Sequence, residues 1–144
     1  MRCVVVATNV FVSACLGSGP ASQVVAACLA RKCQPLMGAA LFAEYEDVLG
    51  RPALWQRSPL SERERHDLLD IFLAVSRWTR VYLGWRPNLA VEGDNHLIEL
   101  AVAGSASHLV TRNLRDFRRA ELQFPGLHAV DPASFLKEMD SWPP

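Results

Sequence analysis

Three carboxylates, Glu44, Asp94 and Asp116, fall where a chain of alternating strands and helices could aim them at one place. Together they could hold a hard divalent cation, Mg²⁺ or Mn²⁺, through oxygen ligands. Such an ion activates water and stabilises charge on a phosphoryl group. Thr8, Asn9, Thr111 and Asn113 supply uncharged polar groups at the expected strand ends, and Arg112, Arg115, Arg118 and Arg119 could grip a phosphate backbone. Each carboxylate also has a plainer reading. Glu44 could be a solvated residue of an amphipathic helix, Asp94 a first-turn carboxylate using the helix dipole, and Asp116 one half of a surface ion pair. No single spacing among them is diagnostic.

The elements that must position these groups are legible in the apolar pattern. Arg2 to Val6 is a short β-branched run that reads as a buried strand. It breaks at Ala7-Thr8-Asn9, where Thr or Asn could cap a following helix. Pro20 suits the first turn of a helix running to about Arg31, and Gln34 to Met37 reads as a second strand. Leu41, Phe42, Tyr45, Val48 and Leu49 form one helical stripe, stopped by Gly50 and Pro52. At about 100° per residue, Glu44 lies at the edge of that stripe and Asp47 points away. Ser61-Glu62-Arg63-Glu64 is a capping box that opens a helix to about Ser76. Trp78 to Leu83 alternates and predicts a third strand. Asp94 to Ala103 predicts a helix with Asp94 among Ile98, Leu97 and Ala101 on the apolar face, a placement that demands a partner or a metal. His108 to Thr111 and Leu127 to Val130 predict two more strands, and Asp131-Pro132 caps a closing helix through about Asp140. Strands separated by helices pair in parallel through crossovers. The expected fold is therefore α/β: a three-layer α/β/α sandwich on a mainly parallel sheet of about five strands.

Bulk properties agree with one domain spanning residues 1–144. Half the residues are hydrophobic, 21% are charged, and the formal net charge is zero. That balance excludes a polycation coating nucleic acid but permits a local basic patch. Thirteen of the 15 basic residues are arginine, the side chain that best matches phosphate geometry. Cys3, Cys15, Cys28 and Cys33 show no C-x-x-C spacing, and the histidines lie in other segments, so free buried thiols rather than zinc are expected. The N-terminus lacks the flanks of a signal peptide and no apolar run reaches membrane-spanning length, which implies a cytoplasmic protein with no membrane contact. Gly17-Ser18-Gly19 lacks the spacing and lysine of a phosphate-binding loop. Ala7 and the scarcity of lysine argue against a phosphate-transfer receiver.

Four stretches, in order, carry a resemblance: VVVATNVFVS from Val4, LFAEY from Leu41, RPNLAVEGDNHLIELAVA from Arg86, and LVTRNLRDF from Leu109. Together they resemble the PIN domain family, especially its toxin components of toxin–antitoxin pairs. The resemblance implies a Mg²⁺- or Mn²⁺-dependent ribonuclease acting on single-stranded RNA. It implies Glu44, Asp94 and Asp116 as catalytic and metal-binding residues, with Thr8, Asn9, Thr111 and Asn113 in support. An antitoxin partner and a homodimer follow from the same resemblance, and Trp55, Trp78 and Trp85 are candidates for such a surface.

The sequence departs from the family pattern at the first acidic position, where Ala7 stands before Thr-Asn. Val91 and Asn113 also occupy places where relatives carry acids, and Glu92 is the nearest substitute. Alanine cannot ligate a metal, so activity is expected to be weak or lost. Ala7 is either an engineered substitution or a natural loss. The alternative is a non-catalytic PIN-like module that binds protein or RNA.

Overall fold

The computed structural model describes residues 1–17, 19–81, 95–118, 121 and 124–143. Five strands form one sheet: β1 (Cys3–Val6), β2 (Gln34–Met37), β3 (Arg77–Trp78), β4 (His108–Val110) and β5 (His128–Val130), in the order β3-β2-β1-β4-β5. Every pairing is parallel, with Val4 opposite both Pro35 and His108 in the centre. Val4, Val5, Leu36, Leu109 and Val110 are fully buried, as continuous apolar strands covered on both faces must be.

Helices α1 (Thr8–Leu16), α2 (Pro20–Leu29), α3 (Ala39–Leu49), α4 (Glu62–Val75), α5 (Asn95–Ala103) and α6 (Pro132–Asp140) make the covering layers. The chain leaves β1 towards β2 and β3, then returns past β1 to β4 and β5. Strand order therefore reverses beside β1, and the crevice at the carboxyl ends of β1 and β4 is the expected place for a ligand. This is the α/β sandwich predicted from the strand and helix pattern.

Local chemistry sets the boundaries. Ser61 Oγ accepts from the Glu64 N–H at 3.1 Å while Glu64 Oε1 accepts from the Ser61 N–H at 2.9 Å, the reciprocal cap expected of α4. Asp131 caps α6 through the Ser134 N–H at 2.7 Å. The close of α5 requires glycine. A Cβ on Gly104 would stand 2.3 Å from Leu36 Cδ1, inside the core.

Three local expectations change. The cap of α1 is Ala7, without a side-chain bond, because Thr8 and Asn9 lie inside the helix and spend their side chains elsewhere. The strand expected over Trp78 to Leu83 is the two-residue Arg77–Trp78; residues 79–81 are not strand, and 82 and 83 lie outside the described residues. Trp55 is buried, its indole N–H donating to the Val48 carbonyl at 3.0 Å, so it offers no partner surface, whereas Trp78 is exposed. Trp85 lies outside the described residues. The four cysteines are free thiols, three buried and Cys3 half-buried. Among the described residues, no single helix is long and apolar enough to cross a membrane.

Candidate active-site cleft

Ala7 directly follows β1, and its N–H donates to the Val110 carbonyl at 2.9 Å, which joins the carboxyl ends of the two central strands. From that junction α1 starts at once, placing Thr8 and Asn9 beside Thr111 of the next strand end. Asn9 works as a staple. Its Nδ2 donates to Thr111 Oγ1 at 3.3 Å, and its Oδ1 accepts from the Arg112 N–H at 3.1 Å. Thr111 Oγ1 also accepts from the Asn113 N–H at 3.1 Å. The loop after β4 is thus tied to α1 by side chains rather than by sheet bonds.

The acidic wall comes from α3. Tyr45 is fully buried against Phe11 and Phe72, and its hydroxyl donates to the Val6 carbonyl at 2.7 Å, which fixes the rotation of α3 about the end of β1. Glu44, one residue earlier, therefore turns to the cleft edge, as helical geometry predicts. Thr8 Oγ1 donates to Glu44 Oε1, and His96 Nε2 lies 2.9 Å from Glu44 Oε2. A carboxylate only accepts, so the His96 proton sits on Nε2. The His96 hydrogen bond holds Glu44 below the usual carboxylate range, helped by Thr8 and opposed by partial burial. His96 Nδ1 is shielded from solvent and has no hydrogen-bond partner among the described residues.

These groups line a groove of about 450 Å³ floored by Ala7, with Glu44, Asn9, Thr111, Arg112 and Asn113 on its walls. Asp47 also borders it, paired with Arg51. A cavity of about 560 Å³ lies behind His96, between Gly38, Trp78 and Leu100. The site is placed in the smaller groove because there the strand ends converge and the polar side chains gather.

Of the residues singled out from sequence, the structure brings together Ala7, Thr8, Asn9, Glu44, Thr111, Arg112 and Asn113. Asp116 is half-buried in the short 3₁₀ turn Leu114–Phe117, does not line the groove, and has no ion pair among the described residues. Arg115 and Arg118 are exposed on the same turn and just after it. Asp94, Val91, Glu92 and Arg119 lie outside the described residues. His96 was not among the sequence candidates. Its signal was the one used for Glu44: a polar residue on the edge of an apolar helical face, here beside Leu97 and Leu100.

A divalent ion needs several oxygen donors. Among the described residues, no three His, Cys, Asp or Glu side chains converge. Both Glu44 oxygens already have partners, and Ala7 offers no side-chain atom. The described residues therefore do not by themselves make a divalent-ion site. What the cleft offers on its own is an ionised carboxylate held by two donors, fixed polar groups on the walls, and a guanidinium at the rim.

Comparison with protein families matches residues 3–115 to the one described as PIN domain. Comparison with curated protein sequences finds no match. Among solved structures, the chain is similar to one in the crystal structure of VapBC2 from Rickettsia felis bound to a DNA fragment from their promoter. The TM-score is 0.58 and the identity 16%, over 90% of this chain and 98% of that one. The structural likeness supports the fold, and the family match runs from β1 through Asn113 of the cleft wall. On that match, this chain belongs to the PIN domain family.

Proposed function

We propose that the cleft is a ribonuclease site for single-stranded RNA, weakened or silenced by one missing ligand. The carrying observation is Ala7: it floors the groove where two strand ends and Glu44 meet, and it is the position at which the family pattern has an acid. Glu44 stays ionised at neutral pH under the His96 and Thr8 hydrogen bonds, so it keeps a negative oxygen beside the groove. Arg112 at the rim, and Arg115, Arg118 and Arg119 beyond it, would bind backbone phosphates. Asp94 and Asp116 would complete the acidic set with Glu44 in a site able to take Mg²⁺ or Mn²⁺, and the first oxygen of that set is absent here. Losing a directly bound carboxylate should exceed the roughly 10–100-fold loss typical of outer partners.

The same reading makes the chain a toxin component that works in the cytoplasm with an antitoxin, a reading supported by the family match and by the likeness in fold to a chain of VapBC2. Exposed Trp78 is the candidate for a homodimer or antitoxin surface. A second reading, a binding module without catalysis, is favoured by the saturation of Glu44 with protein partners.

The test is a paired assay of the chain and Ala7→Asp on single-stranded RNA with Mn²⁺, Mg²⁺ or EDTA. Metal-dependent cleavage that appears, or rises by about 100-fold or more, in Ala7→Asp is expected. RNA binding without cleavage by either protein would favour the binding module. Absence of both binding and cleavage in both proteins would overturn the RNA reading.

A further inference from the structure

Arg112 stands on a ridge between two grooves. On one side is the cleft. On the other is an open groove of about 510 Å³, lined by Leu16, Pro20, Asp131 and Pro132, that shares Ser13, Leu16 and Arg112 with the cleft. That volume lies within the range of about 300–1,000 Å³ typical of small-ligand sites.

The ridge is held but not neutralised. The Arg112 backbone is bonded to Asn9 and its Nη1 donates to Ser13 Oγ at 2.5 Å, yet among the described residues no carboxylate lies within 4.0 Å of its guanidinium. A guanidinium has five donor hydrogens, so most remain for a ligand. Across the groove, Asp131 Oδ1 caps α6 while Oδ2 has no hydrogen-bond partner among the described residues. Between them Leu16, 39% exposed, and the exposed ring of Pro20 form an apolar wall, with buried Pro132 behind it. A cation, an apolar wall and a free carboxylate oxygen suit a ligand with an anionic group, a flat face and a hydroxyl donor. A bare phosphate or an acidic peptide would leave Asp131 facing a like charge.

We propose that this second groove takes one ribonucleotide of an RNA strand, next to the nucleotide in the cleft. The backbone phosphate lies on Arg112, the base on the Leu16–Pro20 wall, and the ribose 2′-hydroxyl donates to Asp131 Oδ2. The strand thus crosses the ridge from one groove to the other, and Asp131 distinguishes RNA from DNA. The choice of ligand rests on the RNA reading of the cleft.

Amide chemical shifts of the unmodified chain in EDTA, titrated with adenosine 5′-monophosphate and its 2′-deoxy analogue, test the site. The expected result is saturable shifts at Ala21, Asp131 and Ala133, with the deoxy form about 5-fold weaker or more. Ala133→Trp, an exposed position at which a large side chain fills the groove, should lower single-stranded RNA affinity about 10-fold. Shifts confined to Thr8 and Glu44, equal response to the two nucleotides, or unchanged RNA affinity in a folded Ala133→Trp would each overturn it. Because the titration needs neither metal nor cleavage, a silent Ala7→Asp enzyme would undo the nuclease reading and leave this result intact.

Discussion

Two histidines bond to glutamates at opposite ends of the same sheet, and they do different work. His108 opens β4 at the amino end, fully buried. Its Nδ1 lies 2.7 Å from Ser107 Oγ and its Nε2 3.2 Å from Glu138, while the rings of Phe135, His128 and Trp142 close around it. Arg2 covers Trp142 from outside, 4.5 Å from the ring centroid. Both nitrogens are satisfied and no space is left. His96, at the carboxyl end, has one partner in Glu44, a second nitrogen with none among the described residues, and a place on the lining of one cavity. The contrast separates a polar residue that completes a core from one that borders a cleft. Satisfaction of both nitrogens, rather than burial or charge pairing alone, is the distinguishing property.

The largest expected effect falls at the closed end. His108→Ala should empty a packed space and strand Ser107 and Glu138, costing about 2–5 kcal/mol of stability. Chemical denaturation would measure it, and RNA affinity of the folded fraction should be unchanged. A loss below about 1 kcal/mol would break the comparison, since His108 would then be no more structural than a surface residue.

Next in size is a change in neither histidine's surroundings. Gly104→Ala pushes a Cβ to 2.3 Å from the Cδ1 of Leu36, a fully buried residue of β2. Overpacking of this kind costs about 1–3 kcal/mol. Thermal unfolding should register the loss, with amide shifts of Thr8 and Glu44 unmoved. Shifts that spread to those residues would mean that core strain reaches the cleft and that the two ends are coupled.

The same contrast explains what could be read from sequence. Strand and helix order was legible because Val4–Val6, the α3 stripe and the α4 capping box announce themselves within a few residues. Glu44 was legible for the same reason: helical periodicity sets its angle, and Tyr45 enforces it. His96 has the same edge placement on α5, but its role depends on Glu44, 52 positions away, and no local spacing encodes that meeting. Likewise Asn9 reads as a cap from its neighbours, but its partners Thr111 and Arg112 are about a hundred residues distant. The Arg112 ridge appears only when the loop after β4 folds onto α1. The shortness of β3 was also hidden. Alternation in Trp78 to Leu83 has the right period, but the chain leaves the sheet once Thr79 has donated to the Met37 carbonyl at 2.8 Å.

The smallest effect sharpens the open end. Glu44 is held below the usual carboxylate range chiefly by His96, so its folded value lies beneath the unfolded one of about 4.3. A lowered acid contributes stability above the unfolded value and loses it as pH falls through the folded one. The Glu44 side chain is 38% exposed, so solvent screens the pair and the contribution should stay under about 1 kcal/mol. Glu44→Gln should therefore be slightly less stable than the parent at pH 7. The gap should close as pH drops below about 4.3, where the parent carboxylate protonates too. His96→Ala should produce the same gap by a different route, raising the Glu44 titration midpoint seen by carboxyl carbon shifts while leaving the sheet untouched. If His96→Ala left that midpoint where it was, the His96–Glu44 contact would not be what keeps the cleft anionic. The difference between the two histidines would then reduce to burial.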